Sequence, residues 1–402
     1  MSAPLDGVRV LDLSRLLPGP VCTLHLADLG ADVVKVEDTG AGDYARSLGL
    51  APTDGRAASD PPSAFFRMVN RNKRSLALDL KASAGREAFL RLAQRADVIV
   101  ESFRPRVVDK LGVGYAAVAA RNPRIVYCSI TGYGQTGPYR DRAGHDINYL
   151  GYAGVLDQTG TSGGPPALSN LQVADLLGGS MNASTAILAA LFGASRTGQG
   201  SHVDVAMTEG SLAHNIFALH AIESLGRVQA RGADLLTGGV PCYGVYATQD
   251  GRYLAVGALE GKFWRVLCEA IDRPDLIARQ LSTGHAGALV RQQLAAVFAQ
   301  QTQAQWIERL ADIECCVSPV LSLDESLADA QVRARDMIVS GADGIRQYAP
   351  PFRLSGHAFA ITRSAPAQGQ HSVEILREAG FSAEEIGLLA DRGTISEPRS
   401  AR

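Results

Sequence analysis

The chain has 402 residues, which is long enough for two domains with a large core. Hydrophobic residues make up 46% of it and charged residues 20%, the balance of an ordinary soluble globular protein. A formal net charge of -2 excludes the broad basic surface that binds nucleic acid. No apolar stretch approaches the roughly 20 residues of a membrane span, so we expect neither nucleic acid nor membrane as a partner.

The six cysteines form no CxxC pair and no spacing typical of a disulfide framework, which indicates a reducing compartment. The N-terminus lacks the charged region and apolar run of a secretory signal. No spacing typical of metal ligands is present. We therefore expect a cytoplasmic protein without a bound metal.

Apolar strands and helices alternate along the N-terminal part of the chain. Strands are predicted at Val8–Leu13, Val33–Val36, Leu76–Leu80, Val98–Val100 and Ile125–Ser129, and helices at Val21–Leu29, Ala84–Ala96 and Val107–Ala120. The first strand is predicted to end at Pro18-Gly19-Pro20, before the first helix begins. Gly30 lies where the C-cap of that helix is expected. The alternation predicts an α/β fold, a Rossmann-like parallel sheet covered on both faces. The first turn lacks GxGxxG, so no dinucleotide site is predicted.

The middle of the chain continues this pattern with longer connections. Thr39–Pro62 is rich in Gly, Ala, Asp and Pro and predicts a surface loop. A long helix of small residues is predicted from Asp175 to about Phe192. The strand Val203–Val205 and the helix Glu209–Leu225 follow.

The character of the sequence changes near residue 226. Tyr243–Ala247 and Tyr253–Val256 flank a turn and predict a β-hairpin. Helices are predicted at Glu260–Ile271, Ala288–Gln300, Gln303–Ile313 and Val373–Ala379. These elements predict a large α/β domain over 1–225, a smaller α/β domain with linkers over 226–330, and a C-terminal segment, 331–402, that returns to the large domain. The tail Pro398–Arg402 is expected to be disordered.

Two side chains in the large domain are candidates for chemistry. His145 follows Thr131–Pro138, a loop too rich in glycine to serve packing, and loops on rigid scaffolds collect catalytic groups. A structural histidine is the alternative. Asp175 opens the long helix among apolar or very small neighbours. It is either a simple N-cap or a carboxylate whose pKa is raised by burial and held down by the helix N-terminus, which suits a base or a nucleophile.

Glu260 follows a predicted strand and opens a helix. A helix-start acid favoured by the helix dipole is the plain interpretation. Its functional interpretation comes only from the motifs described next.

Four motifs of this chain resemble the class III CoA-transferase family: Leu11–Glu37, Asn70–Ser75, Glu101–Pro105 and Thr131–Pro138. The resemblance extends over nearly the whole chain. Within that family, Gly144–Tyr149 is similar to the histidine motif of the 2-methylacyl-CoA racemases. The resemblance implies that His145 and Asp175 are the two proton-transferring residues and that Glu260 is a supporting acid beside the histidine.

The resemblance also implies where coenzyme A binds, as part of the substrate and not as a tightly bound cofactor. The matching positions are Leu78, Asp79, Leu80, Lys81, Ser102, Phe103, Arg104, Lys110, Gly144, Asp146 and Tyr149. Arg104 and Lys110 suit this role, because the phosphates of CoA need cationic partners. The resemblance further implies an interlocked homodimer.

The expected activity is racemisation of a 2-methylacyl-CoA thioester by proton transfer at its α-carbon. The alternative is CoA transfer to a carboxylic acid, in which Asp175 is the nucleophile. A third possibility is a CoA-binding protein without activity. One position departs from the racemase pattern: Asp38 stands where racemases tend to carry an arginine. The acyl group stays open.

Overall fold

The computed structural model describes residues 3–48 and 62–398. Within them the chain divides into two compact units. The first draws on Met1–Ala153, Leu171–His214 and Val332–Arg402, and the second on Gly154–Asn170 and Asn215–Gln331. The second unit therefore includes 154–170 and 215–225, which the predicted bounds placed in the large domain. Arg231 of the second unit attaches 154–170 to it, because it donates hydrogen bonds to main-chain oxygens of Asp157 and Gly164, 74 and 67 residues away.

The described residues form twelve strands. They are β1 Arg9–Asp12, β2 Asp32–Glu37, β3 Lys73–Leu78, β4 Val98–Glu101, β5 Val126–Thr131, β6 Ser201–Ala206, β7 Tyr243–Ala247, β8 Tyr253–Gly257, β9 Val317–Pro319, β10 Ile338–Ser340, β11 Arg346–Tyr348 and β12 Ile395–Ser396.

The α-helices are α1 Pro18–Asp28, α2 Ala64–Val69, α3 Ser83–Ala93, α4 Val107–Lys110, α5 Tyr115–Ala119, α6 Asp146–Tyr152, α7 Val155–Gln158, α8 Asn182–Thr197, α9 Met207–Ala213, α10 Ile216–Leu225, α11 Gly261–Ala270, α12 Gly284–Phe298, α13 Gln303–Leu310, α14 Leu323–Ala328, α15 Ala330–Ala334, α16 Ser372–Glu378 and α17 Ala383–Asp391. Tyr44–Arg46 and Pro274–Arg279 are 3-10 helices, and Ala174–Met181 is a π-helix.

A seven-stranded sheet organises the first unit in the order β12-β3-β2-β1-β4-β5-β6. All neighbouring pairs are parallel except β12 with β3 at the edge. The predicted α/β fold with a parallel sheet is thus confirmed. Without β12 the order is that of a doubly wound sheet, whose direction of winding reverses between β1 and β4. Ligands of such sheets bind at the carboxyl ends of the strands at this switch point.

The second unit has a core of its own. The antiparallel sheet β7-β8-β9 carries the predicted hairpin on β7 and β8. Its buried residues pack against Trp264 of α11, Leu294 and Phe298 of α12, and Trp306 of α13. Each indole N–H donates to a main-chain oxygen, so these two large side chains are buried without an unpaired donor.

Helix boundaries differ from the prediction where proline or glycine acts. Pro18 lies in the first turn of α1 instead of breaking the chain, because a proline there costs no helical hydrogen bond. Gly30 follows this helix at φ 99°, which confirms the predicted C-cap region. The single helix predicted over Val107–Ala120 is two short helices, because Gly112 adopts φ 72° and ends the first.

Two further expectations are corrected. The predicted helix Glu209–Leu225 is divided into α9 and α10. The predicted loop Thr39–Pro62 contains the 3-10 helix Tyr44–Arg46 and the buried Asp43, while its residues 49–61 lie outside the described residues, as do residues 399–402 of the predicted disordered tail.

One helical stretch among the described residues, Ala174–Thr197, is long and apolar enough to cross a membrane by length and composition. This corrects the expectation that no stretch approaches that length. Its alanine, leucine, isoleucine, methionine and phenylalanine residues give it the required hydropathy. A single such helix is weak evidence for a membrane span, since a core helix of a soluble protein passes the same test.

A buried ionic network lies at the centre of the sheet. Asp12, Lys35 and Lys73 have no exposed surface. The Lys73 ammonium is 3.2 Å from the Asp12 carboxylate, and Thr23 donates to the same carboxylate at 2.6 Å. Burial alone would raise the pKa of Asp12, but Lys73, Lys35 and the hydroxyl donors outweigh it and lower the pKa to about 2. A buried charge is tolerated only when it is matched in this way.

We predict that Asp12→Ala lowers the free energy of unfolding by about 3–5 kcal/mol, because it leaves a buried ammonium unpaired. Urea unfolding measures the loss. Because the folded pKa of Asp12 is depressed, its contribution is present above pH about 4 and is lost as the pH falls toward 2.

The control is Glu87→Gln, which breaks a solvent-exposed pair with Arg121. Solvent screening should hold its effect below about 1 kcal/mol. Equal losses in the two variants would contradict a special role for the buried network.

Candidate active site

A cavity of about 730 Å³ lies at the switch point of the sheet. The segments after β1, β4 and β5 supply Leu13, Ser102 and Gly132 to its wall, and Asp175 and His145 line it from two further segments. The carboxyl ends of parallel strands meet here, which is where the fold places ligand sites. The cavity therefore combines the expected position with both candidate side chains.

Asp175 is the second residue of the π-helix Ala174–Met181. The regular α-helix predicted from Asp175 to about Phe192 was wrong in its first turns, and the simple N-cap is excluded because Val173 is the cap residue. Ser180 donates from this helix to the main-chain oxygen of Pro18 at 2.7 Å. The π-helix is thereby bound to the start of α1. Such widened turns occur frequently at functional sites.

Two glycines let the π-helix pack closely. A Cβ added to Gly178 would lie 2.5 Å from the main-chain oxygen of Met207, and one added to Gly179 would lie 3.0 Å from Pro18. The backbone of α9 can therefore approach only a residue without a side chain. This packing fixes the turn of the helix that carries Asp175.

The Asp175 carboxyl is a weaker acid than usual. Burial is the larger cause and the nearby Asp146 carboxylate the second, and together they raise the pKa of Asp175 to about 7. A group with this pKa exists in both protonation states near neutral pH. It can accept and return a proton without a large energetic cost.

His145 is exposed and caps α6. Its main-chain N–H donates to the Asn148 side chain at 3.0 Å, while its carbonyl accepts from the Asn148 N–H at 2.8 Å. These two bonds fix the backbone and leave the imidazole facing the cavity. The histidine is thus not a buried structural one.

Tyrosines support the loop that leads to His145. Tyr149 donates to the Gly144 carbonyl at 2.5 Å. Its ring takes the space where a Cβ of Gly132 or Gly144 would lie, 2.3 and 2.7 Å away. Tyr133 packs edge-on against Tyr149 at 5.3 Å between ring centroids. Both glycines are therefore needed for the ring to fit.

Four arginines line the cavity: Arg15, Arg104, Arg140 and Arg142. Only Arg104 had been predicted. Arg15 forms a 2.7 Å ion pair with Asp38, so a guanidinium lies beside the position at which this chain departs from the racemase pattern. The signal for Arg15 was its place in the turn after β1, where a doubly wound fold exposes residues to ligand.

The structure brings only some of the predicted CoA-binding residues to the cavity. Those that line it are Ser102, Phe103, Gly144 and Tyr149. Those that do not are Leu78, Asp79, Leu80, Lys81 and Lys110. Asp146 is also absent from the wall and instead accepts a hydrogen bond from the Asp175 N–H. Glu260 belongs to the second unit, where it is the N-cap residue of α11.

Comparison with known proteins places this architecture in a family. Residues 5–372 match CoA-transferase family III. The chain is 36% identical over 392 residues to the alpha-methylacyl-CoA racemase of Mus musculus, covering 96% of this chain and 97% of that protein. It is 34% identical over 389 residues to the succinyl-CoA:glutarate CoA-transferase of Mus musculus, covering 93% and 86% respectively.

A solved structure agrees. A CAIB/BAIF family protein from Brucella suis superposes with a TM-score of 0.81 at 30% identity, covering 94% of this chain and 100% of that one. The chain belongs to CoA-transferase family III, and the resemblance seen in its motifs is confirmed. It is an enzyme that acts on acyl-CoA, and its relatives include both racemases and transferases.

We predict that Gly178→Ala destabilises the protein by about 1–3 kcal/mol, because its methyl group would meet the Met207 carbonyl. Thermal unfolding measures this loss. Gly193→Ala is the matched control in α8, where nothing lies within 4 Å of the added Cβ. There alanine should stabilise by about 0.5–1 kcal/mol through helix propensity. The same sign of change in both variants would refute the close-packing argument.

Proposed function

We propose that this protein racemises a 2-methylacyl-CoA thioester by proton transfer between two bases, His145 and Asp175. The observation that carries the proposal is their common place on the wall of one cavity, with the pKa of Asp175 raised to about 7. Two proton-transferring groups that face one space are what a stereocentre inversion requires.

In the proposed reaction the thioester carbonyl acidifies the α-hydrogen. One base takes this hydrogen as a proton, and the C–H electron pair moves into a planar enolate. The conjugate acid of the other base then delivers a proton to the opposite face, which forms a new C–H bond. Asp175 must be ionised when it removes the proton and protonated when it returns one, so a pKa near neutrality serves both directions.

We further propose that the cavity arginines hold the phosphates of CoA. Arg104 is exposed and lines the cavity, so its guanidinium is accessible to a phosphate. Ser102, Phe103, Gly144 and Tyr149 would line the path of the thioester. The predicted contacts of Leu78–Lys81, Lys110 and Asp146 with CoA rest on the family resemblance.

CoA transfer is the second candidate. Similarity to a succinyl-CoA:glutarate CoA-transferase, at 34% identity, favours it. In that reaction the Asp175 carboxylate attacks the thioester carbonyl and the C–S bond breaks. CoA departs as its thiolate, and the acyl group is then joined to Asp175 in a mixed anhydride. The thiolate next attacks the Asp175 carbonyl of this anhydride, which releases the donor acid and forms an aspartyl-CoA thioester. The acceptor carboxylate attacks that thioester and expels the thiolate again. The thiolate then attacks the acceptor carbonyl of the second anhydride, which forms the new acyl-CoA and frees the Asp175 carboxylate. His145 has no required part in these steps.

The homodimer and the supporting role of Glu260 are proposals that rest on the family resemblance. In an interlocked dimer the Glu260 of one chain would lie beside the His145 of its partner. Sedimentation equilibrium at micromolar protein should then show dimer, and a fully active monomer would exclude it. A cytoplasmic location is likewise proposed, and fractionation of cells that express the protein tests it.

A hydrogen-exchange experiment separates the two reactions. The protein is incubated with one enantiomer of a 2-methylacyl-CoA in D₂O, without any carboxylate acceptor. A racemase must incorporate deuterium at the α-carbon, because both bases exchange their protons with solvent between turnovers. We expect exchange and loss of optical purity, measured by mass spectrometry and chiral analysis.

Variants sharpen this result. His145→Ala should reduce exchange by at least about 10²-fold, the usual contribution of a general base. Asp175→Asn should disable either reaction and so acts as the site control. Absence of deuterium across a panel of branched acyl-CoAs, together with CoA transfer from succinyl-CoA to added acids, would replace the first proposal with the second.

We predict that Arg104→Ala raises the KM for the CoA thioester by about tenfold or more while kcat changes little. The reason is that a phosphate contact far from the reacting carbon binds substrate and transition state alike. Steady-state kinetics with the acyl-CoA measures both constants. Arg121→Ala, on the exposed pair with Glu87, is the control. A normal KM with a collapsed kcat would show that Arg104 acts at the reacting centre instead.

A further inference from the structure

One hydrogen bond connects the segments that carry the two proposed bases. The main-chain N–H of Asp175 donates to Oδ1 of Asp146 at 3.0 Å across 29 residues of sequence. Asp146 is the first residue of α6 and follows His145 directly, while Asp175 lies in the first turn of the π-helix. The bond therefore fixes the backbone of one base against the residue adjacent to the other.

We infer that Asp146 is a positioning residue, whose carboxylate holds the main chain at Asp175 and so sets the spacing between His145 and Asp175. This inference rests on the proposed function, in which those two residues transfer protons. It differs from the CoA contact that the family resemblance implied for Asp146, because the side chain does not line the cavity.

The geometry explains why an acid is suited to this position. The first N–H groups of a helix have no partner within it, and Asp146 accepts from one of them. The same carboxylate lies close enough to Asp175 to oppose its ionisation. A neutral amide could accept the hydrogen bond but would not repel the charge.

Other charged groups surround Asp175. The wall of the cavity carries Arg15, Arg104, Arg140, Arg142, His145 and Tyr149. The pKa of Tyr149 is itself raised to about 12, first by burial and then by Asp175. Burial and Asp146 are the causes that act on Asp175, and both raise its pKa. Removal of the Asp146 charge should therefore shift the pKa of Asp175 downward.

The test compares Asp146→Asn, Asp146→Ala and Asp141→Asn. Asp141 is an exposed acid five positions earlier that pairs with Arg106, so its variant makes the same charge change away from Asp175. Carboxyl-labelled aspartate, assigned through Asp175→Asn, reports the titration of Asp175 by ¹³C NMR without any substrate. We expect Asp146→Asn to lower that pKa by roughly one unit and Asp141→Asn to leave it in place.

Kinetics test the positioning role. In Asp146→Asn the pH limb of α-hydrogen exchange that belongs to Asp175 should move to lower pH by the same amount as the pKa in the NMR titration. Asp146→Ala removes both charge and acceptor, so its kcat should fall about tenfold or more at every pH. Retention of full kcat in this variant would refute the spacing role.

The outcomes separate the two proposals. An Asp175 pKa that shifts equally in the asparagine variants at 146 and 141 overturns the inference, whatever reaction the protein catalyses. Absence of exchange in the unaltered protein overturns the proposed function, and the NMR titration then decides by itself whether Asp146 controls the carboxyl. A shift confined to Asp146→Asn, matched by the pH profile, supports both.

Discussion

The whole cavity depends on charge neutralisation beneath the turn that follows β1. Lys35 forms a 2.7 Å ion pair with Asp43 and donates to the Ser14 carbonyl at 3.0 Å. Asp43 in turn accepts from the Leu16 N–H at 3.0 Å. The backbone of this turn is thereby bound to buried charges, and Pro18 at its end accepts from the helix that carries Asp175. If one of these ions lost its partner, the unpaired buried charge would favour a rearrangement of this turn and so of the cavity wall.

The motif Asn70–Ser75 shows how a family signature can serve structure. Arg71 forms a bidentate pair with Asp28 and also donates to Gln347. Arg74 pairs with Glu374 of the C-terminal segment at 2.9 Å. Arg71 and Arg74 thus bind residues 276 and 300 positions later in the chain. The motif identified the family, but its described contacts hold the C-terminal segment to the sheet.

Sequence patterns predicted the parts of the fold that depend on near neighbours. Strand alternation predicted the parallel sheet, and Gly30 and the β7–β8 turn were recognisable because they need specific backbone angles. The π-helix at Asp175 was not predictable, because its cause is the approach of Met207 to Gly178 from a distant segment. Arg142 was missed for the same reason, since only the folded chain brings it to the cavity wall with Asp175, whereas the place of Arg15 after β1 was a signal that could have been used.

The pKa of the Asp175 carboxyl bears on which of the two candidate reactions the cavity can support. A nucleophilic carboxylate benefits from a low pKa, since only its ionised form attacks a thioester. A racemase base must also return a proton, so it benefits from a pKa near the working pH. Burial and the charge of Asp146 both raise the pKa of Asp175, toward the value that suits a base that also returns a proton. The raised pKa of Asp175 is thus one support for the proposed proton transfer, and the hydrogen-exchange experiment decides between the two reactions.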